Sequence, residues 1–272
     1  MRRSLIIATV LTALVGSAPA WSATVDGIDI HWTSTGNGPK AVIFVPGWTC
    51  DSTSWQYQVP AISQQYRVIT LDLPGHGKSE SPKDGQFSME LFARAVEAVR
   101  SEAGIDKAVF AGHSMGTPVV RKYALMHPER VAGLVLVDGL VQLAGTAPVG
   151  RPRMIGAEGR QMREGIARGM ASTATPEVQD QIVKMMLATS EATADGAMVA
   201  TWDQSSWTND VVSVPALGVY AGTSAVANPD GMKRLYSRLE YHVIPGTGHF
   251  LMMEKPQEFN RLLGDFLARL DY

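Results

Sequence analysis

The sequence predicts an α/β protein with a mostly parallel central sheet flanked by helices and with an inserted helical cap. Two observations support this fold class. Short apolar runs of strand length alternate with helix-length segments through most of the 272 residues, and such strand–helix–strand units make right-handed crossovers between parallel strands. The alternation stops between residues 140 and 212, where alanine and methionine accumulate and strand-like runs disappear.

The N-terminus has the three parts of a secretory signal peptide. A charged start, Met1-Arg2-Arg3, precedes an apolar run over residues 5–15 and the small-residue site Ala18-Pro19-Ala20. We therefore assign residues 1–23 to a leader that is cleaved after Ala20, Ser22 or Ala23. The apolar run is too short to span a bilayer comfortably. The expected mature protein is periplasmic or secreted, with no membrane partner after the leader is removed.

Composition limits the possible partners. The formal net charge of −2 gives no electrostatic basis for binding nucleic acid. The single cysteine, Cys50, excludes an intrachain disulfide framework. No grouping of histidines and carboxylates has the spacing of metal ligands. We therefore expect a small-molecule substrate and neither a metal nor a cofactor.

The first part of the chain predicts a hairpin, two buried strands and two helices. An Asp-Gly pair is typical of a two-residue hairpin turn, and Ser88 is a typical helix N-cap. In chain order the elements are a hairpin over 25–32 that turns at Asp26-Gly27, a strand over 41–45, a helix over 54–65, a strand over 67–71, and a helix from Ser88 to residue 103.

The next segment is a strand, a glycine-rich turn and a helix. Residues 108–111 are small or apolar, Gly112-His-Ser-Met-Gly116 follows, and residues 119–126 predict a helix. This arrangement is the G-x-S-x-G nucleophile elbow, which exposes a serine on a sharp strand-to-helix turn. The pattern makes Ser114 the candidate nucleophile. The backbone N–H of Met115 is one expected donor to an oxyanion.

The rest of the chain predicts more strands and helices around the cap. A strand over 131–137 ends at Asp138, and the cap follows at 140–212, with helices over 172–197 and apolar surface from Met185, Met186, Trp202 and Trp207. After the cap come a strand over 216–221, a helix over 230–239, a strand over 241–244 and an amphipathic C-terminal helix. The core domain is thus residues 24–139 and 213–272.

With these motifs in place, the whole mature chain resembles the α/β-hydrolase family. The matching stretches occur in the family's order: Phe44-Val-Pro-Gly-Trp48, Leu71-Asp-Leu-Pro-Gly-His-Gly-Lys-Ser79, Gly112-His-Ser-Met-Gly116, Leu134-Val-Leu-Val-Asp138 and Gly246-Thr-Gly-His-Phe250. The resemblance implies that His249 is the catalytic base and that the backbone N–H of Trp48 is the second oxyanion donor. The other five histidines, among them His113 and His76, are interpreted as structural or surface residues.

The acid of the triad is the open assignment. The family most often carries it in a Gly-x-x-Asp turn after the strand that is here 216–221, but this chain has Gly222-Thr-Ser-Ala225. Some branches place the acid where this chain has Asp138, which we adopt. Asp230 is the alternative, although it also suits the capping of a helix. A third possibility is that the chain has no acid.

The expected activity is that of a serine hydrolase. It would cleave a small or medium, partly hydrophobic ester or lactone through an acyl-enzyme formed by Ser114, His249 and Asp138. Two alternatives stay open: a catalytically weak ligand-binding protein with this fold, and an enzyme similar to cofactor-free haloperoxidases or carbon–carbon-bond hydrolases.

Overall fold

An eight-stranded sheet forms the centre of the protein. The structure is a computed structural model that describes residues 20–141 and 153–272. The strands are ordered β1-β2-β4-β3-β5-β6-β7-β8, and β3 to β8 are parallel to one another, whereas β2 runs antiparallel to both of its neighbours. Their bounds are Ala20–Val25, Ile28–Thr35, Ala41–Val45, Arg67–Leu71, Ala108–His113, Val131–Val137, Ala216–Ala221 and Leu239–Ile244, for β1 to β8. The predicted fold class is confirmed.

The central strands are covered on both faces. Every residue of β3, β5, β6 and β7 is buried, which explains why these strands are continuous apolar runs rather than alternating ones. The described α-helices have the bounds Val59–Ile62, Met89–Glu102, Gly116–Met126, Gly156–Met170, Pro176–Ala188, Glu191–Trp202, Pro229–Leu235, Leu251–Glu254 and Pro256–Ala268, for α1 to α9. Helix α2 packs against α3, and α1 packs against α9.

The predicted hairpin joins β1 to β2. Asp26 and Gly27 have φ of +50° and +74°, as a two-residue turn of type I′ requires at both central positions. The predicted leader lies outside the described residues up to residue 19. Its last residues begin β1, where Trp21 pairs with Trp32 and Ala23 pairs with Ile30. Cleavage after Ala20 would keep both pairs, whereas cleavage after Ala23 would remove them.

Two predicted helices have different bounds in the structure. The segment 54–65 is not one helix: a 3₁₀ turn over Ser52–Trp55 is followed by the short α1. Pro60 lies in the first turn of α1, and a proline has no N–H to continue a preceding helix, so a new helix begins there. The helix predicted over 230–239 ends at Leu235, because residues from Leu239 onward pair with β7.

Three helices, α4 to α6, lie between β6 and β7 in sequence and form the cap. The segment 172–197 was predicted to be helical and contains α5 and most of α6, whereas α4 was not predicted. Helices α5 and α6 begin after Thr175 and Ser190, whose side chains accept hydrogen bonds from backbone N–H groups of the first turn. Among the described residues, no helix has the length and apolar character needed to cross a bilayer.

The sheet register brings several strand ends to one edge. Val45 is level with Gly112, His113 with Val137, and Val137 with Val219. The residues that follow these strands are therefore neighbours in space, although they come from distant parts of the sequence.

Candidate active site

The elbow after β5 presents Ser114 at this edge of the sheet. Ser114 has a φ of +54°, in the left-handed region that is uncommon for a residue with a side chain. Its backbone N–H donates to the carbonyl of Val137 at 2.9 Å, which fixes the turn to β6. A side chain at Gly112 would collide with the carbonyl oxygen of Gly116, so this glycine is required by the close approach of strand and helix.

The structure brings Ser114, His249 and Asp138 into one hydrogen-bonded chain. His249 Nε2 lies 2.8 Å from Ser114 Oγ, and His249 Nδ1 lies 2.7 Å from Asp138 Oδ2. The carboxylate accepts a hydrogen bond from Nδ1–H, so the proton stays on Nδ1 and Nε2 carries the lone pair that can accept the serine proton. This arrangement can activate a serine for nucleophilic attack.

The environment of Asp138 keeps its carboxyl group ionised. Asp138 is 1% exposed, and its Oδ1 accepts the backbone N–H of Ala221 at 3.0 Å. Burial alone would raise the pKa of Asp138. The hydrogen bond and charge of His249, with the donors Ala221 and Ser224, outweigh burial and hold that pKa below its ordinary value.

Asp230, the alternative acid, lies in the first turn of α7. Its side chain is 87% exposed, and its Oδ1 lies 4.0 Å from Lys233 Nζ. It does not cap the helix either, because Asn228 Oδ1 accepts the N–H of Gly231 at 2.9 Å. Of the two carboxylates considered from sequence, Asp138 is the one that the structure places against His249.

The side chains of His113 and Glu254 hold the loop that carries His249. The sequence alone assigns neither of them a role in the site. His113 Nε2 lies 2.9 Å from the carbonyl oxygen of His249, to which it can donate. The carboxylate of Glu254 accepts the N–H of Gly248 at 3.0 Å and the hydroxyl of Thr173 at 2.6 Å. Nothing local in the sequence indicates these contacts, since each joins residues brought together only by the fold.

His113 and His76 are both buried and neutral. Burial, followed by the charge of His249, lowers the pKa of His113 to about 3. Burial lowers the pKa of His76 to about 4, and its Nδ1 lies 3.0 Å from the carbonyl of Pro74. Neither ring therefore carries a charge near neutral pH, in agreement with structural roles.

These two histidines predict a loss of stability in mild acid. The pKa of each falls from 6.5 in the unfolded chain to about 4 for His76 and about 3 for His113 when folded. Between pH 6.5 and 4 the unfolded chain binds more protons, so the free energy of unfolding falls as the pH falls. We expect up to ~1.4 kcal/mol per pH unit for each histidine. Burial raises the pKa of Asp72, which partly offsets the loss.

Urea unfolding at pH 7 and pH 5 measures this loss. His76→Asn keeps a side-chain N–H but removes one titrating ring, so the pH dependence should fall by about half. Equal stability of the wild-type protein at the two pH values would contradict the prediction.

The two predicted oxyanion donors lie beside the serine. Gly47 approaches so closely that a Cβ there would lie 3.0 Å from Ser114 Cβ, which places the loop after β3 against the elbow. In the described part of the chain, neither Trp48 N–H nor Met115 N–H donates to a backbone carbonyl, so both are available to bind an oxyanion.

Cys50 in the same loop is buried, and burial raises the pKa of its thiol, which disfavours the nucleophilic thiolate.

A cavity of about 170 Å³ opens onto the serine. Apart from Ser114, His249 and Asp138, its described lining is apolar except for Thr201, and it contains no Lys or Arg. Trp48 and Met115 line it from the core, and Met170, Met198, Thr201 and Trp202 line it from the cap. Of the four cap residues singled out as apolar surface, only Trp202 lines this cavity.

Metal chemistry has no ready ligand set in the described residues. Within residues 20–141 and 153–272, no cluster of three His, Cys, Asp or Glu side chains is arranged to hold an ion. Asp138 and His249 are hydrogen-bonded to each other instead.

Comparison with known sequences gives a fold family and relatives with enzymatic activity. The family model for the alpha/beta hydrolase fold matches residues 40–168. The 2-hydroxy-6-oxononadienedioate/2-hydroxy-6-oxononatrienedioate hydrolase of Paraburkholderia phymatum is 28% identical over 88% of this chain and 91% of its own length. The dihydrolipoyllysine-residue acetyltransferase component of the acetoin cleaving system of Cupriavidus necator is 36% identical over 43% of this chain, and the match spans only 31% of that protein.

Among solved structures, a thermophilic esterase from Thermogutta terrifontis is similar over nearly the whole chain. Its TM-score is 0.78 at 25% identity, and the match covers 93% of this chain and 99% of the esterase. The sequence and structural relatives that match over nearly their full length therefore include hydrolases.

Proposed function

We propose that this chain, which has the α/β-hydrolase fold, is a serine hydrolase of uncharged esters or lactones. The observation that carries the proposal is the chain of hydrogen bonds from Ser114 through His249 to Asp138. A ligand-binding protein without catalysis would not need a serine that is aligned with a proton acceptor. Nor would it need a buried carboxylate to hold that acceptor in place.

The geometry supports acyl transfer to water. His249 Nε2 takes the proton of Ser114 as the serine oxygen attacks the carbonyl carbon of the substrate. The backbone N–H groups of Trp48 and Met115 donate hydrogen bonds to the carbonyl oxygen and stabilise the negative charge that develops there. His249 then gives the proton to the leaving alkoxide. A water that gives its proton to His249 attacks the acyl-enzyme in the same manner, and Ser114 is regenerated.

The cavity supports a small, uncharged acyl group. Its volume of about 170 Å³ lies below the range of roughly 300–1,000 Å³ that is usual for drug-sized ligands. A carboxylate buried in it would find no Lys or Arg among the described lining residues and would cost several kcal/mol of desolvation. The dioate named for the Paraburkholderia relative carries two carboxylates, so the lining favours an ester or lactone over such a substrate.

Hydrolysis of p-nitrophenyl esters together with active-site labelling tests the proposal. The purified protein should hydrolyse the acetate and butyrate and should react with a fluorophosphonate at Ser114, detected as a mass shift on the peptide that contains it. Ser114→Ala should do neither. Absence of both ester hydrolysis and labelling in the wild-type protein would contradict the proposal.

A matched pair of substrates tests the charge argument. The p-nitrophenyl esters of pentanoic acid and of succinic acid are similar in length, but only the second ends in a carboxylate. We expect kcat/KM for the succinate ester to be at least ~100-fold lower, because an unpaired carboxylate is costly to bury. Equal rates would show that the cavity provides a partner for negative charge.

A further inference from the structure

The loop that carries Trp48 is a strained turn. The N–H of Cys50 donates to the carbonyl of Gly47 at 3.1 Å, which closes a four-residue turn with Trp48 and Thr49 at its centre. Thr49 has a φ of +55°. Turns with a positive φ at this position favour glycine or asparagine, and a β-branched residue such as threonine is strained there. The turn therefore needs other contacts to keep this conformation.

Two buried hydrogen bonds from the cap provide such contacts. Thr189, directly after α5, donates its hydroxyl to the carbonyl oxygen of Thr49 at 3.1 Å. The indole N–H of Trp48 donates to the carbonyl oxygen of Ala194 in α6 at 2.8 Å. Thr189 is 7% exposed and Trp48 is 6% exposed, so water competes little for either bond. Both central residues of the turn are thus bound to the cap.

We infer that Thr189 is a positioning residue that holds the strained turn, and with it the Trp48 N–H, in the geometry that receives the oxyanion. This inference rests on the proposed function, since it assigns Thr189 to the oxyanion site of the same reaction. Without the Thr189 hydroxyl, the turn can relax toward a negative φ at Thr49, and the loop beside Ser114 shifts. A displacement of ~1 Å in an active site can cost about 10²-fold in rate.

Through Thr189, the cap takes part in the reaction and is not only a wall of the cavity. The hydroxyl of Thr189 bonds the carbonyl of Thr49 and does not line the cavity, so its effect should not depend on the length of the acyl group. Replacing a residue that only shaped the cavity would change kcat/KM more for esters with long acyl groups than for the acetate.

Thr189→Val and Thr189→Ser form the matched test. Valine keeps the size of the threonine side chain and removes its hydroxyl, whereas serine keeps the hydroxyl. For Thr189→Val we expect kcat/KM to fall about 10- to 100-fold with p-nitrophenyl acetate and equally with the butyrate, because a misplaced oxyanion donor costs less than the 10²–10³-fold of a missing one. Thr189→Ser should stay within about threefold of the wild-type value.

A transition-state mimic separates positioning from a general loss of structure. An alkylboronic acid forms a tetrahedral adduct with a reactive serine, so its inhibition constant should weaken in Thr189→Val by the same factor as kcat/KM. The midpoint of thermal unfolding shows whether the variant is folded. If the valine variant fails to fold, Thr189→Ala repeats the test.

The outcomes distinguish the two proposals. Active wild-type protein with unchanged kcat/KM in Thr189→Val, or equal losses in the valine and serine variants, would overturn the role of Thr189 alone. Wild-type protein that neither hydrolyses esters nor is labelled at Ser114 would overturn the proposed function and this inference together.

Discussion

Ser114→Ala, His249→Ala and the variant that carries both changes are expected to lose ester hydrolysis to nearly the same extent. Each should lower kcat about 10⁶-fold, which is the loss found when a residue of a serine–histidine pair is removed in serine hydrolases. The reason is that the two residues act as one unit. His249 Nε2 lies 2.8 Å from Ser114 Oγ, so removing either residue abolishes the transfer of the serine proton to the histidine. The measurement is kcat for p-nitrophenyl butyrate in the three variants.

His242→Gln is the control for this experiment. His242 is an exposed residue of β8 and belongs to the same strand-and-loop region as His249. Its replacement should leave kcat within about twofold, as is usual for surface substitutions away from special contacts. If the losses of the two single variants multiplied in the double variant, Ser114 and His249 would be acting independently, and the proposed mechanism would be wrong.

The strands of this protein were predictable because burial on both faces leaves a strong local signal. Residues 41–45, 131–137 and 216–221 are almost entirely apolar, and the first two runs also contain three β-branched residues each. The structure has strands with the same bounds. The prediction of a single helix over 54–65 was wrong because Pro60 interrupts the helical pattern of that segment. The helix over 230–239 was too long because pairing of Leu239 with Ala216 is a tertiary contact.

The site was predictable to the extent that its residues stand in motifs. Ser114 lies in an elbow, and the resemblance to a family pointed to His249. The acid could not be chosen from sequence, because the turn that usually carries it has Ala225 instead. Asp138 lies before this turn and Asp230 after it, and both positions are plausible for the acid. Only the register of β6 with β7, which sets Asp138 beside Ala221, separates the two carboxylates.

The cap residues of the site had no local signal. Met170 and Met198 belong to different helices, and their side chains meet at the cavity only because α4 and α6 are packed together. Thr189 is one of many threonines in the sequence, and nothing in its neighbourhood predicts a bond to Thr49, 140 residues away. Contacts of this kind depend on how elements pack, which periodicity and motif spacing do not encode.

Asp138→Asn is expected to lower kcat about 10⁴-fold. The carboxylate of Asp138 accepts a hydrogen bond from Nδ1–H of His249, with 2.7 Å between Nδ1 and Oδ2, which leaves the lone pair of Nε2 facing Ser114. An asparagine amide donates as well as accepts. If it donates to Nδ1, the proton of the imidazole moves to Nε2, and the base can no longer accept the serine proton. The loss expected from this wrong tautomer is ~10⁴-fold, measured as kcat for p-nitrophenyl butyrate.

Asp230→Asn is the matched comparison, since it makes the same chemical change at the other candidate acid. Asp230 is exposed at the start of α7 and forms an exposed ion pair with Lys233, so its replacement should leave kcat within about twofold. A large loss in Asp230→Asn alone would move the acid to α7. Losses below tenfold in both variants would mean that His249 works without a carboxylate. We expect a large loss of kcat in Asp138→Asn alone, because the buried carboxylate of Asp138 contacts His249 and is also held by the N–H of Ala221.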